Sequence, residues 1–251
     1  ALYYVKKFTH IRLKKQHFIL KPQVCLNIAS LGMSNCLNQV AITFVQIVMN
    51  NSMTYYGAKT IYGSEIPLAA SGIVMKTNGI LLSVIIGLSQ GSQPIIGFNY
   101  GAKKYDRIKE GHWKIPICSG LITLGCGLFF IMIHKPLIRF FSSDEMVLMY
   151  ASRHVVVMLL SQWFYAIFNC IISIVNGTGR VRYTTIVNIL MLWAVRIPSA
   201  YIINRYFDGT WVMLCFPISF SFGMFAMIGY YLFSPSWKEV MRLAENKPQD
   251  Y

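Results

Sequence analysis

The sequence predicts an all-α membrane protein, a bundle of six transmembrane helices, on three observations. Apolar residues fill 55% of the 251 positions and charged residues only 13%, against about 25% charged in soluble domains. Six stretches, about 24–50, 66–88, 112–133, 146–175, 181–203 and 210–233, each supply the roughly 20 mostly apolar residues needed to cross ~30 Å of hydrocarbon. The basic residues then alternate between the connections. Sixteen fall in the first, third, fifth and last, among them Lys6, Lys7, Lys14, Lys15, Lys103, Lys104, Arg107, Arg180 and Arg182; four, Lys59, Lys135, Arg139 and Arg205, fall in the others. An even number of spans puts both ends on one side, and the excess of Lys and Arg makes that side the cytoplasm. The expectation is a multi-pass protein of the cell (inner) membrane, with a basic cytoplasmic lead at 1–23, a six-helix lobe at 24–233 and a cytoplasmic tail at 234–251. The net charge of +14 is on this division mostly a topology signal. It marks attraction to the anionic surface of a lipid bilayer and not a nucleic-acid partner, because the cations sit between apolar spans instead of on one soluble face.

Taken in order, Pro22 suits the first turn of the opening helix. Asn35, Gln39, Thr43, Gln46 and Asn50 follow at steps of four, four, three and four, one helical face running about 22 Å at 1.5 Å per residue. Amides facing lipid cost several kcal/mol, so this face meets other helices or water. Asn51 to Glu65 reads as an external loop and Pro67 as the opening of the second span. Lys76, Gly79, Ser83, Gly87 and Gln90 share one face of that span. An intramembrane lysine faces a bundle interior or a wet cavity, or else snorkels. KKYDRIKEGHWK, from Lys103 to Lys114, reads as a short amphipathic helix on the cytoplasmic surface. In the third span Gly120, Gly125 and Gly127 read as packing positions. The fourth carries Gln162, Tyr165, Asn169, Ser173 and Asn176 along one face, with Arg153 and His154 near its outer end at headgroup depth. NGTGRVR, from Asn176 to Arg182, is a tight cytoplasmic turn. Arg196 stands mid-span beside Pro198, where a kink frees carbonyls for the guanidinium. Trp237 and Lys238 read as an interfacial anchor after the sixth span. The six cysteines all fall inside spans without metal-ligand or CxxC spacing and read as small buried residues.

The segment Gly87 to Arg107, GLSQGSQPIIGFNYGAKKYDR, is the most informative. Gly87, Gly91, Gly97 and Gly101 allow close backbone approach, Pro94 removes a donor, and Gln90, Asn99 and Arg107 complete the pattern GxxQGxxPxxGxNxGAxxxxR. This pattern resembles the multidrug and toxic compound extrusion (MATE) transporters at the close of the eighth of their twelve helices. The segment VRIP, with Arg196 and Pro198, is similar to their eleventh helix. The resemblance implies the carboxyl-terminal lobe of a two-lobe, twelve-helix secondary transporter, and ALYYVKKFTHIRLKKQ reads as the tail of an earlier span. It further implies a multidrug efflux antiporter that exports organic cations or drugs against H+ or Na+ by alternating access, partnered by a missing amino-terminal lobe. The cavity-lining residues are then Asn35, Gln39, Gln46, Lys76, Gln162, Tyr165 and Asn169, with the Tyr165 ring offering a face to a cation.

All nine acidic residues lie in loops or at span ends. Some MATE members carry acids in the matching first and fourth spans, whereas this chain has Asn and Gln, so a coupling acid belongs to the missing half and no cofactor is expected. With no HExxH, P-loop or GxSxG, an enzyme is not expected. Two alternatives stay open: a flippase for lipids or lipid-linked oligosaccharides of the same superfamily, favoured by Lys76 and Arg196 without an acid, and a non-transporting fragment.

Overall fold

The computed structural model describes residues 21–207 and 211–245. Among them every regular element is helical. The chain divides into two compact units, residues 1–40 and 41–251. In the first, the described residues enter the long helix α1 (Pro22–Gly57); the basic lead at 1–20 lies outside the described residues. The second unit holds the end of α1, then α2 (Glu65–Gly101), α3 (Tyr105–Met132), α4 (His134–Arg139), α5 (Glu145–Gly177), α6 (Val181–Ile189), a π-helical stretch (Leu190–Arg196), α7 (Ile197–Tyr206), α8 (Cys215–Phe233) and α9 (Pro235–Glu245).

Five of these pieces are long and apolar enough to span a membrane: α2, α3, α5, the run from Val181 to Tyr206, and Val212–Phe233. At 36 residues α1 has ample length, but its Asn, Gln, Ser and Thr residues hold its mean hydropathy down. The protein is membrane-embedded and multi-pass.

Helix α5 is the hub of the second unit, packed on α2, α3 and α8. Lipid is as apolar as leucine, so helix association depends on close packing and on small residues that allow it. Gly97 of α2 and Gly177 at the end of α5 supply such a site: a Cβ on Gly177 would lie 2.8 Å from the Gln93 carbonyl oxygen and 3.3 Å from Gly97 N. Gly120 meets the Ile167 side chain and Gly127 the Leu159 carbonyl, at 3.0 and 3.2 Å from an added Cβ. Gly87, Gly91, Gly101 and Gly125 face open space instead, so close approach at the motif reduces to Gly97. Two buried hydroxyls return to their own helices, Ser92 donating to the Ser89 carbonyl and Ser161 to that of Met158, both at 2.7 Å.

Asp144 caps α5, its Oδ1 accepting from the Met146 and Val147 N–H groups at 2.8 and 3.4 Å. At the other end Gly179 takes φ +81°, a conformation that costs glycine little. Thr184 closes that turn by donating to Asn176 Oδ1 at 2.6 Å. Pro198 has no N–H to return to the preceding turn, and the chain before it winds as a π-helix.

Five expectations need correction. The loop expected from Asn51 to Glu65 shrinks to 58–64, because α1 continues through Gly57 and α2 begins at Glu65. The segment 103–114 is no separate surface helix: from Tyr105 onward it is the first turns of α3, with Ile108 and His112 buried among its charges. The helix before it runs on through the motif to Gly101, with Pro94 inside it. Trp237 is no interfacial anchor, because Pro235 starts α9 and turns the indole inward, where it is 1% exposed. There it stacks on Tyr231 with ring centroids 4.6 Å apart, and the His112 ring stands 6.0 Å away. Finally, only Cys170 and Cys215 are buried; Cys126 is half-buried, and Cys25, Cys36 and Cys118 are exposed.

Candidate functional site

Helix α2 has two unlike faces. Val74, Asn78, Leu81, Ile85, Ser89 and Ile96 are buried against the rest of the unit. Lys76, Ser83, Gly87, Gln90, Gly91 and Pro94 occupy the opposite side and are exposed. Along an ideal helix, Lys76 to Pro94 covers about 27 Å, nearly the thickness of the hydrocarbon layer. Lysine and glutamine are costly against lipid tails; the Ser83 hydroxyl already donates to the Gly79 carbonyl at 3.0 Å, and Ile80 and Phe98 are exposed on the same side.

Lys76 has one partner among the described residues, the Phe141 ring beyond α4, with Nζ 5.6 Å from the centroid. Its ammonium interacts with an aromatic face and not with a side chain of α5.

On α5, Gln162, Tyr165 and Asn169 share the face expected of them but differ in surroundings. Gln162 is fully buried, and neither amide atom has a hydrogen-bond partner among the described residues. Asn169, half-buried, donates from Nδ2 to the Tyr165 carbonyl at 3.1 Å. The Tyr165 ring packs on Phe220 of α8 with centroids 4.6 Å apart and stands 6.2 Å from Phe168.

That aromatic cluster already holds a cation. Arg196, 8% exposed, places its guanidinium carbon 4.5 Å from the Phe216 centroid and 5.2 Å from that of Phe220. Its Nε donates to Ser219 Oγ at 3.1 Å, and Ser219 in turn donates to the Phe216 carbonyl at 2.9 Å. The satisfaction expected from carbonyls freed near Pro198 therefore comes from a serine and two rings on α8. Pro198 itself is exposed. Sequence reasoning missed Ser219, Phe216 and Phe220; an apolar helix carrying two serines, Ser219 and Ser221, among phenylalanines gave no local sign of a cation partner.

Of the α1 residues, Gln46 is half-buried and donates from Nε2 to Asn50 Oδ1 at 3.0 Å. Gln39 is exposed, and the Asn35 side chain lies outside the described set. Further along the motif, Asn99 is buried and its Nδ2 caps the Ile95 carbonyl at 2.8 Å, while Gly101 and Arg107 are exposed.

At the end of the unit where α5 begins, His154 is buried and stacks on Tyr150 with centroids 4.3 Å apart. The neighbouring Arg153 is exposed, its guanidinium 5.6 Å from the Trp211 centroid. Every acidic side chain described, Glu65, Asp106, Glu110, Asp144, Glu145 and Glu239, is exposed. The interior of the unit thus carries a buried cation and no buried acid among the described residues.

Comparison with known proteins fits this architecture. The MatE family model matches residues 29–202. The chain is 22% identical over 242 residues to the probable multidrug resistance protein YoeA of Bacillus subtilis, covering 92% of this chain and 49% of that protein. It is 25% identical over 197 residues to the multidrug export protein MepA of Staphylococcus aureus, covering 78% and 42%. The chain thus spans about half the length of the curated relatives it matches. Among solved structures, an outward-facing multidrug resistance MATE family transporter of the MOP superfamily matches with a TM-score of 0.73 at 16% identity, over 97% of this chain and 53% of that one. A MOP superfamily transporter from Pyrococcus furiosus, whose reversed binding-pocket polarity suggests a different function for it, matches at 0.74 and 16%, over 96% and 52%. At such identities the likeness is one of fold.

Proposed function

The chain belongs to the MatE family, and on that premise we propose that it works as one six-helix lobe of a secondary transporter. In this reading it exports chemically varied, often cationic small molecules in exchange for H+ or Na+. A second six-helix lobe faces it across a central cavity, and the two rock to open that cavity alternately to either side of the cell membrane. Both termini of the lobe lie in the cytoplasm, in keeping with the distribution of Lys and Arg.

The observation that carries the proposal is the exposed polar face of α2. Lys76 and Gln90 are exposed in a helix otherwise long and apolar enough to span, and a second lobe or a water-filled cleft satisfies them where lipid does not. Gln39, Gln46, Gln162, Tyr165, Asn169 and, by sequence alone, Asn35 are proposed as further lining residues. The coupling acid is assigned to the other lobe, since the acidic residues of this chain lie in loops or at span ends.

A specific observation also favours a second reading. Arg196 is buried with no buried acid among the described residues, a polarity suited to an anionic cargo such as a lipid-linked pyrophosphate. Efflux of a cationic dye supports the first reading; binding of anionic lipid precursors with no dye movement supports the second. The primary test is Lys76→Met in a transporter carrying both lobes, at matched expression. Loss of transport is expected, and unchanged transport removes Lys76 from the cavity. Dye movement by the 251-residue chain reconstituted alone would contradict the need for a second lobe.

A further inference from the structure

A cavity of about 510 Å3 opens between α4 and the first turns of α5. Two cations, Lys135 and Arg139, come to it from successive turns of α4, and a third, Arg153, from α5. Leu148 and Met149 give it an apolar wall, and Ser152 adds a hydroxyl. We propose that this cavity binds the phosphodiester headgroup of an anionic membrane lipid.

The charges are arranged for an absent anion. Lys135 and Arg139 make no hydrogen bond or ion pair with another described residue, and Arg153 has only the Trp211 ring. No carboxylate lines the cavity. Between Arg139 and Leu148 the chain carries Asp144, whose Oδ1 is committed to the Met146 and Val147 N–H groups, and Glu145, which forms no ion pair with a described residue. Three like charges around one cavity repel each other, and a phosphate oxygen pair among them relieves that repulsion. Guanidinium forks match phosphate bidentately, with lysine acting as a point charge.

The apolar wall distinguishes a lipid from a free ion. Leu148 and Met149 stand beside the cations on the membrane-embedded α5, where glycerol and the first acyl carbons would lie once a phosphate is seated. Location agrees: the cavity is at the end of α5 away from the Asn176–Arg182 turn, where headgroups lie. The few cations of this end are gathered and not scattered. Lys135 and Arg139 line this cavity, while Lys59 and Arg205 line a separate recess of about 410 Å3 with Tyr55, Tyr56 and Tyr201. There Lys59 is already held, donating to the Tyr55 hydroxyl at 2.9 Å.

Native mass spectrometry of the purified 251-residue chain, titrated with phosphatidylglycerol or phosphatidylcholine, tests this. We expect phosphatidylglycerol to bind about tenfold more tightly. The triple variant K135Q/R139Q/R153Q should abolish that preference, while K238Q/R242Q, equally exposed cations on α9, should keep it. The charge-conserving K135R/R139K/R153K, which leaves the fold and the charge in place, should retain most of it. Equal binding of the two lipids, or a preference that survives the triple variant, would overturn the proposal. So would inorganic phosphate displacing phosphatidylglycerol at equal concentration, which would reassign the cavity to a free anion.

Discussion

Arg196 and Ser219, 23 residues apart in sequence, are joined by a buried hydrogen bond of 3.1 Å from Nε to Oγ. The bond couples the π-helical stretch before Pro198 to α8, and the Phe216 and Phe220 rings cover the same guanidinium. Replacing Ser219 by alanine leaves a buried charged donor without its acceptor, which costs about 1–3 kcal/mol. Thermal unfolding in detergent should show a lowered midpoint for S219A and a smaller loss for S219T. An unchanged midpoint for S219A would mean that the rings alone hold the guanidinium.

The glycine motif separates by position. An alanine methyl at Gly177 meets the Gln93 carbonyl at 2.8 Å, backbone that cannot swing aside, so G177A should lose about 1–3 kcal/mol by overpacking. Gly87 and Gly91 have nothing within 4 Å, and G87A and G91A should leave the unfolding midpoint of this chain in place. Any loss they cause should appear in transport by the two-lobe protein, and a lowered midpoint for either would contradict the open α2 face.

Gln162 distinguishes packing from lining. Both its amide atoms are buried without a partner among the described residues, so Gln162→Met, close in volume and free of that desolvation cost, should hold or raise stability. If Gln162 serves the cavity, the same variant in the two-lobe protein should lose transport. Retained stability with full activity would make the residue dispensable to both.

Trp237 fastens α9. Its indole is 1% exposed and stacked on Tyr231, so W237A should cost about 3–5 kcal/mol, the range for a buried aromatic, or release α9 alone. Limited proteolysis separates these outcomes: cleavage within 234–245 at an unchanged global midpoint means local release. Resistance to protease together with an unchanged midpoint would contradict the packing.

Hydropathy was enough to read the helical membrane class, because lipid imposes one requirement on every residue of a span. Local pattern also exposed the Asn176–Arg182 turn and the shared face of Gln162, Tyr165 and Asn169. What stayed hidden depends on partners distant in sequence. The acceptor for Arg196 is on another helix. The inward turn of Trp237 depends on Tyr231 and His112 together, and the same Trp-Lys pair on a straight helix would have read as an anchor. The charges of 103–114 concealed Ile108 and His112, two buried residues that make the segment part of α3. Of the four motif glycines only Gly97 packs against another helix among the described residues, and spacing alone could not separate a glycine that meets a helix from one that faces outward.

The central claim is that the exposed face of α2 borders water or a partner lobe and not lipid. Single cysteines at Ser83 and Gln90, in a background lacking the six native cysteines, should be compared with cysteines at Phe129 and Phe225, exposed apolar positions of α3 and α8. With the two-lobe protein in intact membranes, a membrane-impermeant maleimide should label positions 83 and 90 and spare 129 and 225, and a transported cation should slow that labelling. Positions 83 and 90 as unreactive as 129 and 225, whichever way the transporter is driven, would place the α2 face in lipid and contradict the account.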